Sequence, residues 1–351
     1  MYPALAVVDA LGKMTDILWV GATGGLEARL VERAGLPFES VPAAGLHGVG
    51  WRTLPGNLAA MARGIRAARR ILSDFEPDVL FFTGGFVGGP VAWAGRHIPS
   101  VTLVPDIEPA LSQRMIGRLA DRICVSTEAS LDHYRRREKL VVTGYPSRFA
   151  GRAWPVAEAR QRLGLSDDRP VVLVVGGSTG ARSINRAVWA GLPGLLAAAQ
   201  LVHLVGERDW AEAQPHIAAL TTEQAAHYHP FAYLHDEMGW ALAAADLAVS
   251  RAGASAIGDY PLFGLPAVLV PYPHAWRYQR TNAAYLAKRG AAITIDDQRL
   301  NYELPAAVVE LLGDGPRLMA MAEAARRLAR PDAAERIAVV LRQTAGQAGA
   351  P

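Results

Sequence analysis

Lysine is nearly absent from this chain: three lysines stand against 33 arginines in 351 residues. Cysteine is scarcer still, with Cys124 alone, which excludes an internal disulfide and fits a reducing compartment. Long apolar runs are missing too. The longest uncharged stretches, such as 79–95, are broken by glycine and proline, so no segment reads as a membrane-spanning helix or a signal peptide. Charge of one sign is in short supply: the net charge is +3, and all of it falls within residues 1–150, where 17 basic residues meet 14 acidic ones. That excess is too small for a nucleic-acid footprint. No Gly-Lys-Ser/Thr closes a glycine loop, which excludes a Walker-type phosphate site, and neither glycine-rich turn has the spacing of a dinucleotide fingerprint. No Asp-X-Asp pair stands near those turns and the 9 histidines form no ligand pattern, so no metal and no cofactor are expected.

What the chain has is an ordinary globular composition, 51% apolar and 20% charged, over a length that suits two domains of about 150 residues each. Strands are expected over 16–20, 79–82, 101–104, 122–125 and 140–143, then over 171–175, 201–205, 247–250, 267–270 and 292–295. Short Val/Leu/Ile runs separated by helical patterns build parallel sheets covered on both faces, so the fold class is α/β with two doubly wound sheets in succession. The stretch GYPSRFAGRAWP over 144–155 marks the junction, giving domains over 1–148 and 149–330, a last helix over 331–344 and a tail over 345–351.

The segment WRTLPGNLAAMARGIRAARRIL over 51–72 carries Arg52, Arg63, Arg66, Arg69 and Arg70 without an acid, while Leu58, Met61, Ile65, Ala68 and Leu72 keep helical spacing. Such a basic amphipathic helix suits an anionic lipid surface, with Trp51 and Leu54 available to dip into it; it equally suits a solvated surface face.

Between Ser250 and Ala283 the chain reads SRAGASAIGDYPLFGLPAVLVPYPHAWRYQRTNA. Small residues before a helix let backbone N–H groups approach a ligand, and the helix N-terminus favours a diphosphate. Asp259, one turn in, is placed either to accept from ribose hydroxyls or simply to complement the helix dipole. A second turn, Gly176-Gly-Ser-Thr-Gly180, follows the apolar run 171–175 and precedes a helix; it suits either a phosphate or close packing. Both turns belong to the carboxyl edge of the second sheet, where doubly wound folds bind ligands.

Taken together, Gly176-Gly-Ser-Thr-Gly-Ala181, Ser250-Arg-Ala-Gly-Ala-Ser255, Gly264-Leu-Pro266, Pro271-Tyr-Pro-His274, Gln279 and Asn282 resemble the MurG family of inverting glycosyltransferases. Tyr2-Pro-Ala-Leu-Ala-Val7 looks like that family's first helix, Gly84-Gly-Phe-Val-Gly-Gly-Pro90 like its second glycine-rich loop, and Pro331-Asp-Ala-Ala-Glu-Arg336 like its closing helix. The resemblance implies a GT-B fold, two Rossmann-like domains facing a cleft, with the closing helix packed back on the first. It implies transfer of N-acetylglucosamine from UDP-GlcNAc to the MurNAc C4 hydroxyl of lipid I, giving lipid II, at the cytoplasmic side of the membrane, without nucleic acid as a partner. A related GT-B enzyme such as a UDP-GlcNAc epimerase, a non-catalytic nucleotide-sugar binder and a dinucleotide-dependent oxidoreductase are the other readings.

Carried over position by position, the resemblance gives the donor site Arg148, Ser178, Leu234, the helix start Ala254, Ser255, Ala256, Ile257, Gly258 and Asp259, and Gln279. Arg148 would meet the diphosphate, Leu234 would flank uracil, and Gln279 would reach the sugar. Asp259 stands where the family has glutamate, and Tyr278 where it has a glutamine beside Gln279. On the acceptor side the resemblance points to Gly84, Gly85 and Asp106. The family's His-Glu-Gln-Asn stretch is replaced by Val104-Pro-Asp-Ile-Glu-Pro109, so Asp106 or Glu108 is the candidate general base, unless that turn only caps a helix. The family also begins with a strand and a Gly-Gly-Thr-Gly-Gly-His loop before the segment that starts here at Tyr2, and the chain is expected to lack both.

Overall fold

Valine occupies four of the five positions of Val171–Val175, which favours extended backbone and, being apolar on both faces, burial from both sides. The same logic runs along the chain. The computed structural model describes residues 1–24, 27–43, 54–166, 168–176, 181–273 and 278–346, and it divides into two units: Met1–Arg148 with the stretch from Asp332 onward, and Phe149–Pro331.

The first unit runs α1 (Tyr2–Leu11), β1 (Trp19–Ala22), α2 (Glu27–Arg33), β2 (Phe38–Val41), α3 (Leu54–Phe75), β3 (Leu80–Phe82), α4 (Gly88–Ala94), β4 (Ser100–Val104), α5 (Leu111–Leu119), β5 (Arg122–Val125) and β6 (Leu140–Val142). Its strands are all parallel, but they form a four-stranded sheet in the order β3-β4-β5-β6 and a separate pair, β1-β2. The single sheet expected for this half is thus two sheets among the described residues. One layer of α3 and α4 residues, including Ala68, Leu72 and Val91, packs with Val41 of β2 and with Leu80 and Phe82 of β3. The opposite face of the larger sheet buries Val101, Leu103 and Cys124 against Val7 of α1 and Ile337, Val340 and Leu341 of the last helix. Burial pushes the Cys124 thiol up to about 12, with a Thr143 hydrogen bond drawing the other way, so it is an inert core group.

The second unit runs α6 (Val156–Arg162), β7 (Val171–Val175), α7 (Arg182–Ala190), α8 (Leu192–Ala198), β8 (Gln200–Leu204), α9 (Trp210–Ala218), α10 (Thr222–Ala225), β9 (Tyr228–Phe231), α11 (Met238–Ala244), β10 (Leu247–Ser250), α12 (Ala254–Phe263), β11 (Ala267–Leu269), α13 (Tyr278–Lys288), β12 (Ala292–Thr294), α14 (Leu300–Gly313) and α15 (Gly315–Arg327); α16 (Ala333–Gly346) belongs to the first unit. Its six parallel strands are ordered β12-β11-β10-β7-β8-β9. Counted within the unit this is the doubly wound order 3-2-1-4-5-6, which reverses between β7 and β10. Leu201, Leu247 and Leu173 are wholly buried, and each contributes about 2 kcal/mol through apolar burial.

Several boundaries differ from expectation. The first strand begins at Trp19 rather than Asp16, and β2 was not expected. β2 reads Phe-Glu-Ser-Val with its two middle residues exposed, and β9 carries Pro230 at the sheet edge, where a missing N–H is tolerated. The junction stretch is tied down as well. Trp154 meets Phe149 and Trp240 edge-on at 5.9 and 4.8 Å, and its Nε1–H donates to Phe149 O at 3.0 Å.

Candidate functional site

Register fixes where the two small-residue turns of the second unit begin. Ser250 at the end of β10 is the pairing partner of Val175 at the end of β7, so the chain leaves two neighbouring strands at one level, at the point of order reversal. After β10, Gly253 caps α12 with extended backbone (φ −68°, ψ 170°), and no acid stands in the helix's first turn. The first amides of such a helix lack intrahelical acceptors and form an anion site. Ala256 N–H is already turned to Gly253 O at 3.0 Å, which leaves Ala254 and Ser255 as the outward donors. Ser255 is exposed and Ala254, Gly258 and Asp259 are half-buried, whereas Ala256 and Ile257 are core residues at 2% and 4% exposure. Those two therefore shape the helix beneath the site and offer no side chain to a ligand.

The far end of α12 is set by Gly264, in the left-handed region at φ 61°, with Leu265 N–H closing on Tyr260 O at 2.9 Å. A Cβ there would stand 2.6 Å from Arg326 Cγ. After β11, Gln279 turns its side chain back on the loop: Tyr272 N–H donates to Gln279 Oε1 at 2.8 Å, leaving Nε2 as the end that can turn outward. Asn282 is wholly buried and donates to Ala252 O at 3.1 Å, tying α13 to the turn before α12. Leu234, beyond β9, is 6% exposed and packed in the unit. Ser178 lies outside the described residues.

The helix α7 is held by a buried polar chain. Trp189 Nε1–H donates to Tyr228 Oη at 3.1 Å, Tyr228 Oη meets His203 Nδ1 at 2.9 Å, and His203 Nε2 meets Asn185 Oδ1 at 3.1 Å. Asn185 Nδ2 then donates to Asp209 at 3.2 Å, and Asp209 accepts from Arg182 at 2.9 Å. Burial pushes His203 down to about 3, so the ring is neutral, and lifts the Tyr228 phenol to about 12 against the Trp189 hydrogen bond.

In the first unit, Gly84 and Gly85 follow β3 with φ of 104° and 91°, a backbone that only glycine adopts without strain. A Cβ on Gly84 would meet Gln113 Nε2 at 3.4 Å, and Gln113 Oε1 accepts from Ala110 N at 2.9 Å at the start of α5. The two candidate bases separate here. The Glu108 side chain is 4% exposed and ion-paired to Arg114 at 3.4 Å, so the structure makes it a buried anchor of the turn; Asp106 is only half-buried. Arg148 ends the unit with its guanidinium 4.0 Å from the Tyr2 ring centroid, a cation–π contact.

Along α3, Arg63, Arg66 and Arg70 are exposed and Ala68 and Leu72 face the core. The helix runs past the expected end to Phe75, so it includes Asp74, which pairs with Arg70 at 3.7 Å. Trp51 and Arg52 lie outside the described residues, and of Leu54 only the backbone is described. Sequence reading missed a neighbouring feature: Leu111, Met115 and Leu119 repeat every four residues on α5 and stay 44%, 62% and 42% exposed, with Phe86 and Trp93 of the α4 region at 65% and 51%. Their spacing was the available signal. Among the described residues no helix is long and apolar enough to cross a membrane, and no three His, Cys, Asp or Glu are grouped as a metal ion requires.

Comparison with known proteins accords with this geometry. Residues 1–124 match the glycosyltransferase family 28 N-terminal domain and residues 171–337 the glycosyltransferase family 28 C-terminal domain. A relative from Roseiflexus sp. (strain RS-1), a UDP-N-acetylglucosamine--N-acetylmuramyl-(pentapeptide) pyrophosphoryl-undecaprenol N-acetylglucosamine transferase, is 40% identical over 98% of this chain and 94% of its own. A relative of the same name from Desulforudis audaxviator (strain MP104C) is 36% identical over 99% and 96%. The crystal structure of Acinetobacter baumannii MurG superposes with a TM-score of 0.74 at 24% identity, covering 97% of this chain and 95% of that one, which establishes the GT-B fold. With identity of 36% or more running along almost the whole chain, this protein belongs to glycosyltransferase family 28, as a member of its MurG family.

Proposed function

We propose that this protein moves N-acetylglucosamine from UDP-N-acetylglucosamine to the MurNAc C4 hydroxyl of undecaprenyl-pyrophosphoryl-MurNAc-pentapeptide, converting lipid I to lipid II. The observation that carries the reading is the departure of two small-residue turns from paired strand ends, Val175 and Ser250, where the strand order of the second unit reverses. Full-length relatives bearing that activity in their names support it.

The donor diphosphate is proposed to sit on the amides of Ala254 and Ser255, with Ser178 of the glycine-rich segment as a further contact and Arg148 supplying a guanidinium fork. Asp259 is the proposed acceptor for ribose hydroxyls, Gln279 Nε2 the contact to the sugar, and Leu234 a wall behind the base. On the acceptor side Gly84 and Gly85 shape the loop that receives the MurNAc diphosphate, and Asp106 takes the proton. As the C4 oxygen bonds to the anomeric carbon from the face opposite UDP, its proton passes to Asp106 and the anomeric C–O bond breaks. The electron pair leaves on the UDP phosphate, where the amides and Arg148 stabilise it. Attack from the opposite face inverts the anomeric configuration.

The acceptor is a lipid, and the exposed Leu111, Met115, Leu119, Phe86 and Trp93, together with Arg63, Arg66 and Arg70, form the proposed peripheral docking face for anionic headgroups of the inner leaflet. The test is UDP release by the purified protein with and without lipid I. Release only when lipid I is present is expected, and Asp106→Asn should lower kcat by about a hundredfold while UDP affinity holds. Release or isomerisation of the donor without acceptor contradicts the reading.

A further inference from the structure

The transfer chemistry leaves one side-chain cluster at the carboxyl edge of the second sheet without a role. Arg251 follows Ser250 directly, and its side chain is 11% exposed. Its Nη2 donates to Ser183 Oγ at 2.7 Å, and its Nη1 donates to Asp297 Oδ1 at 2.5 Å and to Val270 O at 3.3 Å. Ser183 Oγ–H in turn donates to the same Asp297 oxygen at 2.7 Å. The guanidinium carbon lies 5.1 Å from the Tyr272 ring centroid, and Tyr272 N–H is the group that holds Gln279.

Each partner comes from a different connection of the sheet. Ser183 lies in the first turn of α7, after the glycine turn; Val270 and Tyr272 follow β11; Asp297 follows β12; Arg251 itself opens the turn before α12. An arginine in a nucleotide cradle invites the reading of a phosphate ligand. Here its charge is matched at contact distance by Asp297 and both terminal nitrogens are engaged, so a diphosphate would have to displace a carboxylate held at 2.5 Å. Only a planar fork reaches three connections at once, which a lysine ammonium does not reproduce.

We infer that Arg251 is a positioning residue of the donor site. Through Ser183, Asp297 and the Tyr272–Gln279 pair it presets the α7 start, the α12 turn and the Gln279 loop before the nucleotide arrives, and it does not touch the nucleotide. This inference rests on the donor-site reading above and adds to it the element that holds the cradle open.

The experiment is titration of UDP into the full-length protein and into Ser183→Ala, Ser183→Thr, Asp297→Asn and Arg251→Lys, alongside donor KM, kcat and thermal midpoints. Ser183→Ala and Asp297→Asn should each weaken UDP by roughly three- to tenfold and raise donor KM to match, leaving kcat within about twofold. Ser183→Thr, which keeps the hydroxyl, should restore affinity, and Arg251→Lys should lose it despite its charge. If Arg251 instead bound the diphosphate, Asp297→Asn would free its guanidinium, so unchanged or tighter UDP binding in that variant overturns the inference. Equal losses in Ser183→Thr and Ser183→Ala overturn it as well. A wild-type protein that fails to bind UDP overturns the donor site and the clamp together, whereas wild-type binding with indifferent variants overturns the clamp alone.

Discussion

Arg148 and Asp259 are the two residues at which the donor assignment is most exposed to test. Each is half-buried, so replacing it would remove the proposed ligand contact without opening a core cavity. Arg148→Ala is expected to weaken UDP by about ten- to a hundredfold, through loss of a charged fork, and Asp259→Ala by a smaller factor; wild-type affinity in both, by calorimetry, rejects these assignments. His203 carries a different prediction. Its ring stays neutral in the folded protein down to about pH 3, while the unfolded chain protonates it near its ordinary 6.5. Between those values the unfolded state binds the extra proton, so stability from this group is intact above about pH 6.5 and falls as pH drops toward 3, by up to about 1.4 kcal/mol per pH unit. His203→Gln, which keeps donor and acceptor, should flatten the wild-type stability curve over pH 4.5–6.5 in denaturant titrations. Parallel curves reject the attribution.

At the scale of elements, the apolar strands were legible because their sequence says one thing locally: Val171–Val175 is where it was expected, and β10 likewise. β2 was not, since its two polar middle residues hide a strand whose place is fixed by its neighbour's hydrogen bonds. The separation of β1-β2 from β3-β6 was equally hidden, because strand order is a property of pairing and leaves no local mark. The site follows the same division. The helix start at Ala254 and the glycine pair Gly84-Gly85 announce themselves by composition, but Arg251 takes its role from Asp297 and Ser183, 46 and 68 positions away. Glu108 read as a candidate base because nothing local reveals that Arg114 and the surrounding turn bury it. The αL cap of α12 gives the element-level test: Gly264→Ala should cost about 1–2 kcal/mol in backbone strain, read as a lower denaturation midpoint with an unchanged m-value.

At the scale of the whole molecule, the proposed nucleotide cradle belongs to one unit, and the proposed acceptor loop and the basic, apolar-studded face belong to the other. The proposed docking face predicts binding to anionic vesicles that weakens with salt. Arg66→Glu should reduce it by roughly tenfold or more, since each arginine near such a surface is worth about 1 kcal/mol and reversal counts twice; retained binding in that variant and in Met115→Glu would clear these residues of the role. The most direct measurement of the central claim is to follow radiolabelled sugar from UDP-N-acetylglucosamine, with lipid I presented in anionic vesicles, and to determine the anomeric configuration of the product. The account predicts label in the lipid fraction, joined at the MurNAc C4 oxygen with inverted configuration. Label that stays in the water-soluble fraction, as unchanged donor or as an isomeric nucleotide sugar, would contradict it.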